Sequence, residues 1–340
     1  MSDLADVLDE LERQTTAWWR VATQWGFTDH SHTHSRRVAN RAEELIEVSG
    51  VPDRLQLNLV ERFVLVAAAW VHDIGMQNAG QDDRPVDVRR NHPQRTRDLL
   101  KSKEFDFKLQ DALLLSAIGI VAHAHGTSFY RDVLDGTDEV QHLRGEKIRI
   151  HLLAALLLLS DELDLHNERA LDYEGQPDLS PESGAHWLKH QCVSHVHLTD
   201  ESSGVTINLD LAFPANLIRS DAAEVEAWIV DKLMIQMVMI DGELDAGYNG
   251  KMQMNPRVAV TRRWIDIPNK RVTANVLAVI KAENAKTRRG LERLRRRGRA
   301  GATRRAAGEA PRHRLRKHHP DCVRPVRHGI LDGAGFRLAD

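Results

Sequence analysis

Apolar residues recur at helical spacing through the first half of the chain and give way to shorter alternating runs after about residue 170. Residues 3–25 set Leu4, Val7, Leu8, Leu11, Trp18 and Trp19 on one face, which predicts an amphipathic packing helix. Thr28 or Asp29 can cap a second helix, along which His34, Val38, Arg41 or Ala42, and Leu45 share a stripe. His30 lies one turn before His34 if that helix starts early enough. Val51-Pro52 breaks the chain, and residues 55–71 predict a buried helix. Its last nine residues, 63–71, are all apolar and run straight into His72-Asp73, with Gly75 placed as a helix stop. Residues 77–90 are polar, with Gly and Pro, and read as a loop. Asn91 then caps a helix with Pro93 in its first turn, so that His92 sits at a helix N-terminus facing the space the loop encloses. Residues 109–121 form another apolar helix, ending in Ala122-His123-Ala124-His125-Gly126. In residues 148–165, Ile150, Ala154, Leu157 and Asp161 are in register, which puts Asp161 on the innermost face; His151 falls off that line.

These helix ends share a chemistry. A His-Asp pair alone is ordinarily the surface end of a core helix, and a lone histidine on an apolar stripe is usually a packed core residue. Here, however, His34, His72-Asp73 and Asp161 all extend buried faces, and a buried carboxylate without a cation is costly. Neutral imidazoles and carboxylates together make a mixed nitrogen and oxygen donor set for one or two divalent ions, which Mn, Mg, Fe, Zn or Ni would satisfy equally.

The later part reads differently. Residues 172–184 form a loop, residues 186–199 alternate as a strand, and residues 204–213 make a second strand paired to it through a turn. A helix over 221–240 and a strand near 257–267 complete a small α+β subdomain suited to dimerisation or substrate choice. His186, His190, His195 and His197 fall there; with no carboxylate or cysteine cluster, a solvated strand face is the better reading than a metal site.

Composition narrows the class. With 42% hydrophobic and 28% charged residues the chain reads as globular, and its apolar runs are about half the ~18 residues of a membrane span. The acidic, amphipathic start resembles neither a signal nor a transit peptide. Two cysteines far apart, Cys192 and Cys322, point to a reducing cytoplasm with no disulfide framework. The net charge of −2 hides a segregation: residues 286–340 hold 17 Lys or Arg against 5 Asp or Glu, and residues 1–285 hold 30 against 44. The basic tail has little apolar periodicity and is expected to be disordered; any nucleic-acid contact would run through it. No Gly-rich phosphate loop occurs.

The series His34, His72-Asp73, Asp161 over helices of these lengths resembles the HD domain of metal-dependent phosphohydrolases, over about residues 27–170. His92 with His123 or His125 is similar to the extra histidines of its two-metal members. The stretches TDHSHTH and SPESGAHWLKH also resemble HD domains that accompany bacterial ATPase modules in stress or defence proteins. The resemblance implies a mainly α HD-type helical bundle for the metal-binding domain (27–170), to which the sequence pattern adds an N-terminal packing helix (1–26), the α+β subdomain (171–285) and the basic tail (286–340). It implies His34, His72, Asp73 and Asp161 as ligands of one ion, His92 and His123 or His125 as ligands of a second, and Asp73 as the bridge. Asp73 and His92 are the residues assigned to catalysis. Arg95 and Arg169 are assigned to substrate, because guanidinium suits a phosphate fork, and His30 is assigned to substrate with them. The implied reaction is hydrolysis of a phosphoester or phosphoanhydride, on a phosphorylated small molecule such as a nucleotide. A regulatory module that binds metal or nucleotide without turnover, and a di-iron oxygenase on the same fold, are the alternatives.

Overall fold

A computed structural model describes residues 2–20, 27–48, 56–77, 85–126, 130–170, 179–201, 204–247 and 257–306. By contacts the chain divides into residues 1–296 and residues 297–340. Within the second unit the described residues, 297–306, are helical.

The elements run α1 (Ser2–Arg20), α2 (His32–Val48), α3 (Leu59–Val71), α4 (Pro85–Ser102), α5 (Ala112–His123), α6 (Tyr130–Leu134), β1 (Val140–Leu143), β2 (Glu146–Arg149) and α7 (Ile150–Leu163). After them come α8 (Pro181–Gln191), β3 (Val193–Glu201), β4 (Gly204–Pro214), α9 (Arg219–Gly247), β5 (Arg257–Ile265) and α10 (Ala274–Ala306). The fold is mainly α, with the sheet content in β1–β2 and in the three-stranded sheet β3-β4-β5. β4 pairs antiparallel with β3 and parallel with β5.

α7 is the centre of the bundle. It packs on α2, α3 and α5 and, on its other side, on α9. Twelve of its residues are buried, which explains why its sequence is apolar on nearly every face. α3 starts at Leu59, four residues later than its apolar run suggests, because Asn58 closes a capping box. Its side chain accepts from the Glu61 N–H, and the Glu61 carboxylate accepts from the Asn58 N–H. The same Glu61, 1% exposed, takes the Arg149 guanidinium at 2.7 Å and so ties α3 to the start of α7.

Several expectations are corrected. α2 is capped not by Thr28 or Asp29 but by Ser31, whose hydroxyl accepts from the Thr33 N–H at 3.2 Å. α4 begins at Pro85, so Asn91 is no cap and Pro93 lies inside the helix. Residues 181–191 are the helix α8, capped by Ser180 with Pro181 at its first position, and the strand begins only at Val193. The basic segment is not uniformly without structure. α10 runs to Ala306, held by burial of Val276, Ile280 and Leu291 and by ion pairs from Lys281 to Asp221 and from Arg288 to Asp231 on α9. The remainder of that segment, 307–340, lies outside the described residues. Among the described residues no helix is long and apolar enough to cross a membrane.

Candidate metal centre

Asp73 lies just past the end of α3, 3% exposed, and its two carboxylate oxygens face different partners. Oδ2 is 2.7 Å from His30 Nδ1, 3.3 Å from His34 Nε2 and 3.2 Å from His72 Nε2. Oδ1 is 3.1 Å from His92 Nε2 and 3.5 Å from His125 Nε2. Asp161, from α7, adds Oδ1 at 3.3 Å from His34 Nε2 and 3.9 Å from His72 Nε2. Three overlapping groups of candidate ligand atoms result: His30, His34 and Asp73; His34, His72 and Asp161; Asp73, His92 and His125. Within each, the atoms lie within 4.8 Å of one another.

A backbone device aims most of these rings. His72 Nδ1 lies 2.7 Å from the Ala69 carbonyl, His92 Nδ1 lies 2.7 Å from the Arg89 carbonyl, and His125 Nδ1 donates to the Ala122 carbonyl. Each acceptor is three residues back. Ala69 and Ala122 stand in the last turns of α3 and α5, where carbonyls have no helical N–H to receive. Arg89 stands in the second turn of α4, but the residue four on is Pro93, which has no N–H to give. The proline that looked like a helix start therefore vacates the carbonyl that holds His92. His34, inside α2, uses a side chain instead: its Nδ1 is 2.6 Å from Asp164 Oδ2. Asp164 also receives Arg37 Nε at 2.8 Å.

The donor chemistry fits a cation. A carbonyl can only accept, so Nδ1 of His72, His92 and His125 carries the hydrogen and Nε2 carries a lone pair. Nε2 of His92 and His125 are 2.8 Å apart, and Nε2 of His34 and His72 are 3.1 Å apart. Lone pairs at that separation repel unless a proton or metal is shared between them. Burial disfavours charge on Asp73, yet the surrounding imidazoles, His72 first, hold its carboxyl well below the usual range. Burial and Arg169 also oppose protonation of His34, but hydrogen bonds to Asp161, Asp164 and Asp73 raise it to about 10. A site that retains a proton this firmly has the negative potential that a divalent ion neutralises. The second partner of His34, Asp164, orients the ring in the carboxylate–histidine arrangement common behind metal ligands.

A family model, HD-CE, matches residues 26–237, more than half of the 340. The chain belongs to the HD-CE family of HD domains. A search of curated proteins gives no match. The HD-CE match continues beyond residue 170 through α8, β3, β4 and much of α9, so the elements after α7 fall within the family's extent.

The geometry sorts the sequence candidates. His34, His72, Asp73, Asp161, His92 and His125 converge, and His30 joins them from the loop before α2. His123 does not. Its Nδ1 is 3.4 Å from the Arg97 guanidinium, and burial together with that charge pushes it down to about 4. Arg95 donates to the Gln77 carbonyl at 2.7 Å. Arg169 reaches the site: it donates to the carbonyls of Asp29 and Asp164, lies 3.4 Å from His30 Nδ1, and lines the pocket that opens on the cluster. That pocket encloses about 530 Å³, counting space continuous with solvent. His30, His92, Asp161, Arg89, Lys189 and His190 are among the residues lining it. The pocket role of α8 was not foreseen, because a helix read as a strand points its side chains wrongly. His195 and His197, by contrast, are exposed on β3.

Proposed function

We propose that the chain is a metal-dependent phosphohydrolase, acting on a phosphoester or phosphoanhydride of a small molecule such as a nucleotide. The observation that carries this reading is the division of Asp73: one oxygen faces His30, His34 and His72, the other His92 and His125. A carboxylate can serve two ions at once in this way. His34, His72, Asp73 and Asp161 would hold one ion; His92, His125 and the other oxygen of Asp73 would hold a second. Bound there, divalent ions supply an acidified water and charge neutralisation at phosphorus.

The remaining residues support the same chemistry. Asp164 fixes the tautomer of His34, and the Ala69, Arg89 and Ala122 carbonyls fix those of His72, His92 and His125. His30, pushed down to about 4 chiefly by burial, is a neutral ring near pH 7 that donates to Asp73 and lines the pocket. Arg169 offers a fixed guanidinium to an anionic substrate. The cationic lining favours a phosphorylated ligand over the oxygen chemistry that a similar ligand set can perform.

The test is turnover of a panel of nucleotides and generic phosphoesters by the full chain with Mn²⁺, Mg²⁺ and other divalent ions, alongside metal analysis of protein purified without added metal. Wild type is expected to hydrolyse at least one class, and Asp73→Ala to lose both metal and turnover. Normal turnover in Asp73→Ala, or tightly held paired iron with no hydrolysis, would reject the reading.

A further inference from the structure

The pocket beside the metal centre carries more positive charge than its metal ligands call for. Arg89 reaches it from α4, its guanidinium 5.1 Å from the centroid of the Phe27 ring, and among the described residues no carboxylate lies within ion-pair distance of it. Arg169 is 6% exposed and is close enough that its charge adds to burial in pushing Arg89 down to about 10. From α8, Lys189 is 3% exposed and donates to Glu162 at 3.0 Å. Lys232 of α9 pairs with the other oxygen of the same Glu162. Four cationic side chains thus share a lining with one carboxylate besides Asp161.

A second observation points the same way. His190, 4% exposed and one turn on from His186, lines the pocket with its Nδ1 buried and without a hydrogen-bond partner. An unmet polar atom beside buried, like-charged groups costs stability in the free protein, and an anion seated there would relieve both.

We propose that Arg89, Lys189, Lys232 and His190 form a second anion subsite, and that the substrate is a phosphoanhydride whose non-scissile phosphoryl group occupies it. The proposal rests on the phosphohydrolase reading and narrows it. A simple phosphomonoester at the metal ligands would leave Arg89 without an anionic partner, and Lys189 and Lys232 with only the one carboxylate of Glu162 between them. Because His30, His92 and Asp161 line the same cavity as these cations, the two anionic groups belong close together, as in a diphosphate linkage.

Binding without turnover tests this separately from catalysis. Calorimetric titration of the Mn²⁺-loaded full chain with orthophosphate and with methylenediphosphonate, whose P–C–P bridge cannot be hydrolysed, gives an affinity ratio. Wild type is expected to favour the diphosphonate by about tenfold or more, the scale of one or two charge-assisted hydrogen bonds. In Arg89→Gln and in His190→Gln the ratio is expected to fall to about threefold or less, with metal content and orthophosphate affinity held. A ratio near one in wild type, or a ratio retained in either folded, metal-loaded variant, overturns the subsite. If the ratio behaves as expected while no phosphorylated compound is hydrolysed, the hydrolase reading fails and the subsite stands.

Discussion

Asp164 Oδ2 sits 2.6 Å from His34 Nδ1, while the opposite nitrogen of that ring faces Asp73 and Asp161. The Asp164 side chain touches none of the other candidate ligands, so its carboxylate would act on a bound metal only through His34. Asp164→Asn keeps the size of the side chain but removes the carboxylate that fixes the tautomer. Metal affinity is expected to fall by roughly 10–100-fold. The check is metal titration of the apo protein, with far-UV circular dichroism unchanged.

Pro93 has a similar indirect role. Pro93→Ala restores an N–H that can reach the Arg89 carbonyl, in competition with His92 Nδ1. The variant should bind the ion held by His92 and His125 less tightly while gaining thermal stability. Metal stoichiometry measured by elemental analysis against the melting temperature separates the two effects; an unchanged stoichiometry would show that the carbonyl serves both donors.

Gly75 is required by closeness and not by backbone conformation. A Cβ there would stand 2.3 Å from the His92 carbonyl oxygen and 2.6 Å from the Thr96 nitrogen. Both obstacles are backbone atoms and cannot swing aside. Gly75→Ala should therefore push α4 away from the end of α3, at a cost of about 3 kcal/mol. Loss of the His92 ion at a temperature where the rest of the fold persists would be its signature in combined melting and metal-release curves.

Lys189 sets an expected pH dependence. Burial pushes its ammonium down to about 8, against the pull of Glu162. An anionic ligand favours the charged form, so affinity is complete below that value and declines as pH rises through it. Calorimetry with methylenediphosphonate between pH 7 and 9 should show this step in wild type and not in Lys189→Met, where Glu162 keeps Lys232 as its partner.

Stability of α3 can be probed away from the candidate metal centre. Asn58→Ala removes the cap acceptor of α3 and should lower stability by about 1 kcal/mol, with metal content unchanged. Equilibrium urea unfolding of the metal-loaded protein measures this directly.

Much of the bundle was legible because α3, α5 and α7 are apolar beyond any amphipathic need, so polar residues at their ends stood out. His72, Asp73 and Asp161 stood out by that contrast, and His34 by its place on the apolar stripe of α2. His125 could not be told from His123 by spacing, since which ring turns inward depends on how α5 ends; the Ala122 carbonyl captures one, and the Arg97 charge flanks the other. Asp164 was missed because its partner lies 130 residues away. α8 was misread because His186, Leu188 and His190 alternate as a strand would. The Ser180-Pro181 cap, a helix-start signal, was the better guide. The Asn58-x-x-Glu61 box was equally readable and marks where α3 begins.

At the end of α7, Asp161 turns toward the histidines and its neighbour Glu162 turns toward Lys189 and Lys232. Two successive residues therefore serve two different sets of partners around one pocket. A fragment stopping at residue 170 would keep Glu162 and discard both ammonium groups that offset it, so the HD bundle cannot be lent to another chain without its trailing helices. Modular exchange, where it happens in such proteins, has to move the two halves as a single inheritance.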